Sequence, residues 1–109
     1  MSSRPIYEIQ ANLCRTMSSA VRLEIVHILR EGPKRVGDIL ELTGYPPGTI
    51  SRHLSVLRTG GVLNATRQGK DMIYQISNPK IVDICDLMRE VLTEEIIHCS
   101  KLMQDFLEP

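Results

Sequence analysis

Along the first sixty residues the hydrophobic positions recur at three and four, the spacing of a helix face, and only later change to two. Ile6, Ile9, Leu13 and Met17 make one stripe and predict a short first helix over about 6–17. Ser18 or Ser19 can cap a second helix, in which Val21, Ile25, Ile28 and Leu29 share a face before Gly32-Pro33 stops it. Val36, Ile39 and Leu40 predict a short third helix ending at Thr43-Gly44, with glycine where a left-handed helix end favours it. Pro46 and Pro47 suit a helix entrance, after which Ile50, Leu54 and Leu57 fall at i, i+4 and i+7 until Gly60-Gly61.

From Val62 the period is two: Leu63 and Ala65, then Met72, Tyr74 and Ile76, with Arg67-Gln68-Gly69-Lys70-Asp71 between them. This predicts a β-hairpin with a basic tip. Asn78-Pro79 then opens a last helix whose stripe runs from Ile81 through Met88, Leu92, Ile96 and Cys99 to Phe106 and Leu107. Near 29 residues, it would be roughly 43 Å long at 1.5 Å per residue, more than so small a domain can cover, and its stripe needs another chain. The expected fold is mainly α with a small β-hairpin wing, a winged helix-turn-helix in one domain over 1–109. The last helix, at about 79–107, is expected to pair with another chain, with the helix-turn-helix at about 35–60 and the wing at about 62–77.

A chain of 109 residues is one domain, too small for a cleft between two lobes. The 42% hydrophobic and 24% charged residues are ordinary for a globular chain. No apolar run approaches the roughly 20 residues that span a bilayer, and Met1-Ser2-Ser3-Arg4-Pro5 is not followed by an apolar signal core. The expectation is a cytoplasmic protein with no membrane partner. Net charge is zero but unevenly spread. Residues 1–45 carry six basic and five acidic groups, and residues 71–109 carry three against eight. Between them, residues 46–70 hold Arg52, Arg58, Arg67 and Lys70 with no acid at all. Such a segment lets a neutral chain face a polyanion.

The fourth predicted helix carries that segment's chemistry. Its polar face is Thr49, Ser51, Arg52, His53, Ser55 and Arg58, all hydrogen-bonding and none negative. Two short helices joined by a tight turn, the second with such a face, form the arrangement whose second helix enters the major groove of double-stranded DNA. Thr49, Ser51 and Arg52, near the helix start, are placed for base edges, since arginine pairs bidentately with guanine and hydroxyls donate or accept. His53 either joins them or packs beside the turn. Arg58, Arg67 and Lys70 suit phosphate, and the tip Gln68-Gly69-Lys70 is long enough to lie along the backbone or enter the minor groove. No nucleophile with its base, no paired carboxylates in a cleft and no glycine-rich phosphate loop is visible, so an enzyme is not expected. A winged-helix module that binds protein partners is the competing reading, and the acid-free surface argues against it.

Val21-Arg22-Leu23-Glu24-Ile25, then Gly44-Tyr45-Pro46-Pro47-Gly48-Thr49-Ile50-Ser51-Arg52-His53-Leu54-Ser55-Val56-Leu57-Arg58 and Gly60-Gly61-Val62, resemble the arsenic-repressor (ArsR/SmtB) family of winged helix-turn-helix regulators. The likeness covers roughly residues 10–80. It implies a homodimer, built on the first and last helices, that represses transcription by binding operator DNA and is released by an inducer, often a metal ion or thiol oxidant. The family's known metal sites are not carried over. Where the arsenic, lead and cadmium branch has Cys-Val-Cys-Asp, this chain has Arg35-Val36-Gly37-Asp38. The positions matching the zinc and nickel branch are Asn78, Lys80, Val91 and Glu94, with one usable ligand.

What remains for sensing is Cys14, Cys85 and Cys99, which form neither a short-spaced zinc motif nor an even disulfide framework. Cys85 and Cys99 share a helix face about 21 Å apart, too far for a bond within one chain. If the last helices cross antiparallel near Leu92, Cys85 of one chain approaches Cys99 of the other, and Cys14 can join them. Three thiolates suit a soft metal or metalloid ion as inducer, and a pair suits oxidation. The alternatives are that all three are small buried hydrophobes and that the repressor answers a non-thiol signal. Of His27, His53 and His98, only His98 stands beside a cysteine, and none has metal-site spacing to another.

Overall fold

The computed structural model describes residues 4–107, so Met1-Ser2-Ser3 of the N-terminal reading lies outside the described residues. The elements in order are α1 (Arg4–Met17), α2 (Ala20–Leu29), β1 (Lys34–Arg35), α3 (Val36–Thr43), α4 (Pro47–Thr59), β2 (Leu63–Gln68), β3 (Asp71–Ile76) and α5 (Lys80–Leu107).

Local chemistry sets most of these limits. Ser19, in extended conformation, accepts the Arg22 N–H on its hydroxyl and so starts α2. Gly44 takes a left-handed φ of 73° and its N–H closes on the Leu40 carbonyl, which ends α3. Pro47 occupies the first turn of α4, where its missing N–H costs nothing. Asn78 Oδ1 accepts the Lys80 N–H at the entrance to α5.

The core is one cluster: Ile25, Val26 and Leu29 from α2, Ile39 from α3, Ile50, Leu54 and Leu57 from α4, then Val62, Leu63 and Ile81. Each is worth roughly 1.5–3 kcal/mol when fully buried, so the helix-turn-helix and the base of the wing form the stable unit. The i, i+4 and i+7 positions that predicted α4 are the three it buries. α1 buries no residue fully and lends only Leu13 and Met17 to the cluster's edge.

The expected hairpin is present, with two refinements. The sheet has three strands in the order β1-β3-β2, because Lys34 and Arg35 pair antiparallel with Tyr74 and Ile73. A two-residue strand carries no period to detect. The wing is also tighter than the sequence suggested. Arg67 and Gln68 belong to β2 and Asp71 to β3, leaving Gly69-Lys70 as a two-residue turn in which Gly69 has φ 62°. A glycine with positive φ at the first turn residue matches the twist of the flanking strands. The register pairs Leu63 with Ile76, Ala65 with Tyr74 and Arg67 with Met72, so the predicted apolar face is real and Arg67 continues it.

α5 leaves this body early. Ile81 is its one buried residue, while Ile84, Leu87, Met88, Val91, Leu92, Ile96, Ile97, Leu102, Met103, Phe106 and Leu107 are exposed. The radius of gyration, 17.8 Å, exceeds the roughly 13 Å of a compact chain of this length. A bidentate ion pair of Arg30 with Asp86, at 2.8 and 2.9 Å, fastens the base of α5 to α2.

Candidate nucleic-acid interface

On a helix turning about 100° per residue, the buried face of α4 lies under Ile50, Leu54 and Leu57. Arg52 and Ser55 stand opposite it and are exposed. Ser51 and Arg58, also exposed, lie on one flank, while Thr49 and His53, both half-buried, lie on the other. The polar face read from the sequence is therefore a broad arc with a crown and two flanks. No carboxylate and no capping side chain occupies the first turn of α4, so the positive end of its dipole is left open to phosphate.

The wing supplies the remaining basic groups. Arg67, Gln68 and Lys70 are exposed, and the pleat sends Arg67 and Gln68 to opposite faces. Asp71, the acid nearest the tip, lies 3.5 Å from Arg35 of β1, which offsets its charge.

Two arginines outside the basic segment stand beside α4. Arg15 shares a groove with Asn12 and Thr16 of α1 and with Ser55, Val56 and Thr59 of α4. Arg22 of α2 reaches His53, with Nη1 3.2 Å from Nδ1. Burial pushes the His53 imidazole below its ordinary value, and the like charges of Arg22 and Arg52 push it the same way. Sequence position gave no hint of either arginine, because both lie on helices read as scaffold.

The helices meet closely at Gly60. A Cβ built there would sit 2.5 Å from Thr16 Oγ1 and 2.6 Å from Thr16 Cγ2. A side chain at this position would force the Thr16 side chain to move.

The cysteines are not gathered at one point. Cys14 and Cys85 line one apolar groove between α1 and α5, with Leu13, Met17, Ile81 and Met88. Cys14 and Cys99 are exposed, and Cys85 is half-buried with its thiol pushed up, mainly by burial. Among the described residues no three His, Cys, Asp or Glu side chains lie together as metal ligands, and no helix is long and apolar enough to cross a membrane.

Residues 19–65, which hold α2, the helix-turn-helix and the start of the wing, match the family described as "Bacterial regulatory protein, arsR family". The HTH-type transcriptional regulator Rv0081 of Mycobacterium tuberculosis is 32% identical over 106 residues, 96% of this chain and 93% of that protein. Its crystal structure superposes with a TM-score of 0.79, covering 88% of this chain and 97% of that one. The transcriptional repressor PagR of Bacillus anthracis is 36% identical over 85 residues, 77% of this chain and 85% of its own. Its crystal structure gives a TM-score of 0.71 over 79% of this chain and 99% of that one. The homodimeric winged helix-turn-helix DNA-binding domain Mb0332 of Mycobacterium bovis, solved in solution, is 27% identical with a TM-score of 0.76 over 86% of this chain and 89% of that one. A winged helix-turn-helix body, a recognition helix free of acids and these similarities along nearly the whole chain place the protein among transcriptional regulators rather than enzymes, and it belongs to the arsR family of bacterial regulatory proteins.

Proposed function

We propose that the protein is a homodimeric repressor that grips operator DNA with α4 and the wing and pairs through α1 and α5. The observation that carries the DNA contact is the exposed arc of α4, with Arg52 and Ser55 at its crown and no acid from Pro46 to Lys70. Thr49, Ser51, Arg52 and His53 read base edges, while Arg58, Arg67, Gln68 and Lys70 hold phosphates and set the register. The uncovered apolar stripe of α5, together with the exposed Ile6, Tyr7 and Ile9 of α1, supports the dimer. Its two recognition helices would fall about 34 Å apart, one turn of DNA, on an imperfect palindrome.

An inducer that releases the repressor acts at this helical interface. The thiol reading is supported by Cys14 and Cys85 sharing a groove and by Cys99 lying on the uncovered face of α5. A soft metal or metalloid ion, or an oxidant, would then need thiols from both chains. A non-thiol signal is supported by the half-burial of Cys85, which pushes its thiol up and leaves it less thiolate at neutral pH.

Fluorescence anisotropy of the reduced protein on DNA from its own upstream region tests the reading. Tight, salt-sensitive binding that Arg52→Glu abolishes is the expected result; binding indifferent to Arg52→Glu would refute the groove contact. Repeating it after oxidation or with arsenite, cadmium, zinc or copper(I), in the wild type and in Cys85→Ser and Cys99→Ser, decides the signal. Release that either serine variant prevents supports the thiol reading, and binding unmoved by every treatment rejects it.

A further inference from the structure

Arg22 begins α2, yet its guanidinium is spent on two other elements. Nε donates to the Thr16 carbonyl at 2.6 Å and Nη2 to the Arg15 carbonyl at 3.1 Å, both at the C-terminal end of α1. The remaining nitrogen, Nη1, meets His53 Nδ1 of α4 at 3.2 Å, across 31 residues of sequence. No ion pair with a carboxylate is formed by Arg22 among the described residues.

A guanidinium can only donate. Nδ1 must therefore accept, which requires an uncharged imidazole carrying its proton on Nε2. Among the described residues Nε2 has no hydrogen-bond partner, and it is not among the buried atoms left without one, so it reaches solvent on the flank of α4. A half-buried ring held at one nitrogen presents a single donor in a fixed direction.

We infer that Arg22 is a positioning residue for DNA reading: clamped on the end of α1, it holds His53 so that Nε2–H is offered to an acceptor on a base edge, and it makes α1 and α4 move as one. This rests on the reading that α4 enters the groove. Guanine O6 and N7, adenine N7 and thymine O4 are acceptors of the required kind. Because α1 also belongs to the proposed dimer face, a change there reaches the reading helix through one side chain. The charged groups that act on the ring are cationic, Arg22 from α2 and Arg52 from its own helix, and both disfavour the imidazolium.

Two measurements test this. Nitrogen-15 NMR of the wild-type histidines near neutral pH should show His53 unprotonated at Nδ1 and protonated at Nε2; the opposite tautomer overturns the proposal without any variant. Binding is then compared on two duplexes of equal length: one enriched by the wild-type chain from a random-sequence pool, and a shuffled version. Arg22→Gln and His53→Phe, each first shown to melt cooperatively, should weaken the enriched duplex by about tenfold, the loss of one hydrogen bond to a base. The shuffled duplex should change by less than about twofold, because phosphate contacts carry non-specific binding. The double variant should be no worse than the weaker single variant. Equal losses on both duplexes, or losses that multiply, overturn the inference. If the wild-type chain enriches no sequence, or Arg52→Ala leaves the enriched duplex unaffected, the groove reading fails by itself, and the NMR result still judges the Arg22 contact.

Discussion

Arg52 and Lys70 carry the same charge and should behave differently. Arg52 stands on the crown of α4, where in the proposed complex a bidentate pair with guanine would give sequence preference, whereas Lys70 lies in the wing turn, where a flexible ammonium would meet phosphate. Arg52→Ala should cost about 1–3 kcal/mol on the operator and relax discrimination among sequences. Lys70→Ala should weaken all sequences alike and reduce the slope of binding against salt by about one. Salt titrations of both variants on matched and shuffled duplexes check this; identical behaviour would refute the division of roles. His53 makes a prediction of its own. Its folded-state value is depressed below 6.5 by burial, with Arg22 and Arg52 adding to the effect. Below about pH 6.5 the unfolded chain takes up a proton that the folded chain refuses, so stability is full above that value and is lost as pH falls through it. Thermal melting between about pH 7.5 and 5.5 should show a steeper fall in the wild type than in His53→Phe.

Among the elements, the crossing of α1 and α4 is the most demanding contact. The φ of Gly60 is −77°, which any residue can adopt, so the case for glycine there is steric: the Thr16 side chain occupies the place of a Cβ. Gly60→Ala should destabilise by about 1–3 kcal/mol through overpacking. Thr16→Ala removes Oγ1 and Cγ2 and leaves the nearest atom at 3.1 Å, so the double variant should recover most of the loss. Urea midpoints of the four proteins in this cycle measure the coupling. Leu54→Ala, at the centre of the core, should cost about 2–5 kcal/mol with no such rescue. These elements were largely legible in advance. The stripe of α4, the Ser19 cap, the Gly44 stop and the alternation of β2 with β3 are local patterns, and each was found within a residue or two of its expected place. β1 was not legible, because a ladder between Lys34-Arg35 and Ile73-Tyr74 depends on chain segments about forty residues apart.

At the scale of the whole molecule, α5 is a helix whose stripe, beyond the first turns that pack on α1 and α2, stays uncovered among the described residues. Twenty-eight residues at 1.5 Å each reach about 42 Å, past the body against which only Ile81 is buried. Leu92→Glu with Ile96→Glu should convert a dimer to a monomer by light scattering while the helix-turn-helix still melts cooperatively. Operator affinity should then fall by about a hundredfold or more, since two half-sites no longer bind as one unit. A double variant that stays dimeric would place the interface elsewhere.

By itself the sequence determined the helices, the hairpin, the acid-free segment and the length of α5, because periodicity, capping and charge are set by neighbours a few residues apart. Its match to the arsR family, over residues 19–65, takes in α2, α3, α4 and the start of β2. Only the tertiary structure decided that His53 answers to Arg22, that Gly60 packs on Thr16, and that Cys14 and Cys85 line one groove that Cys99 does not. Each of those pairs lies more than thirty positions apart in the sequence. Side chains so separated are brought together by the packing of α1, α2, α4 and α5 around one core, and no period along the chain encodes which of them will touch.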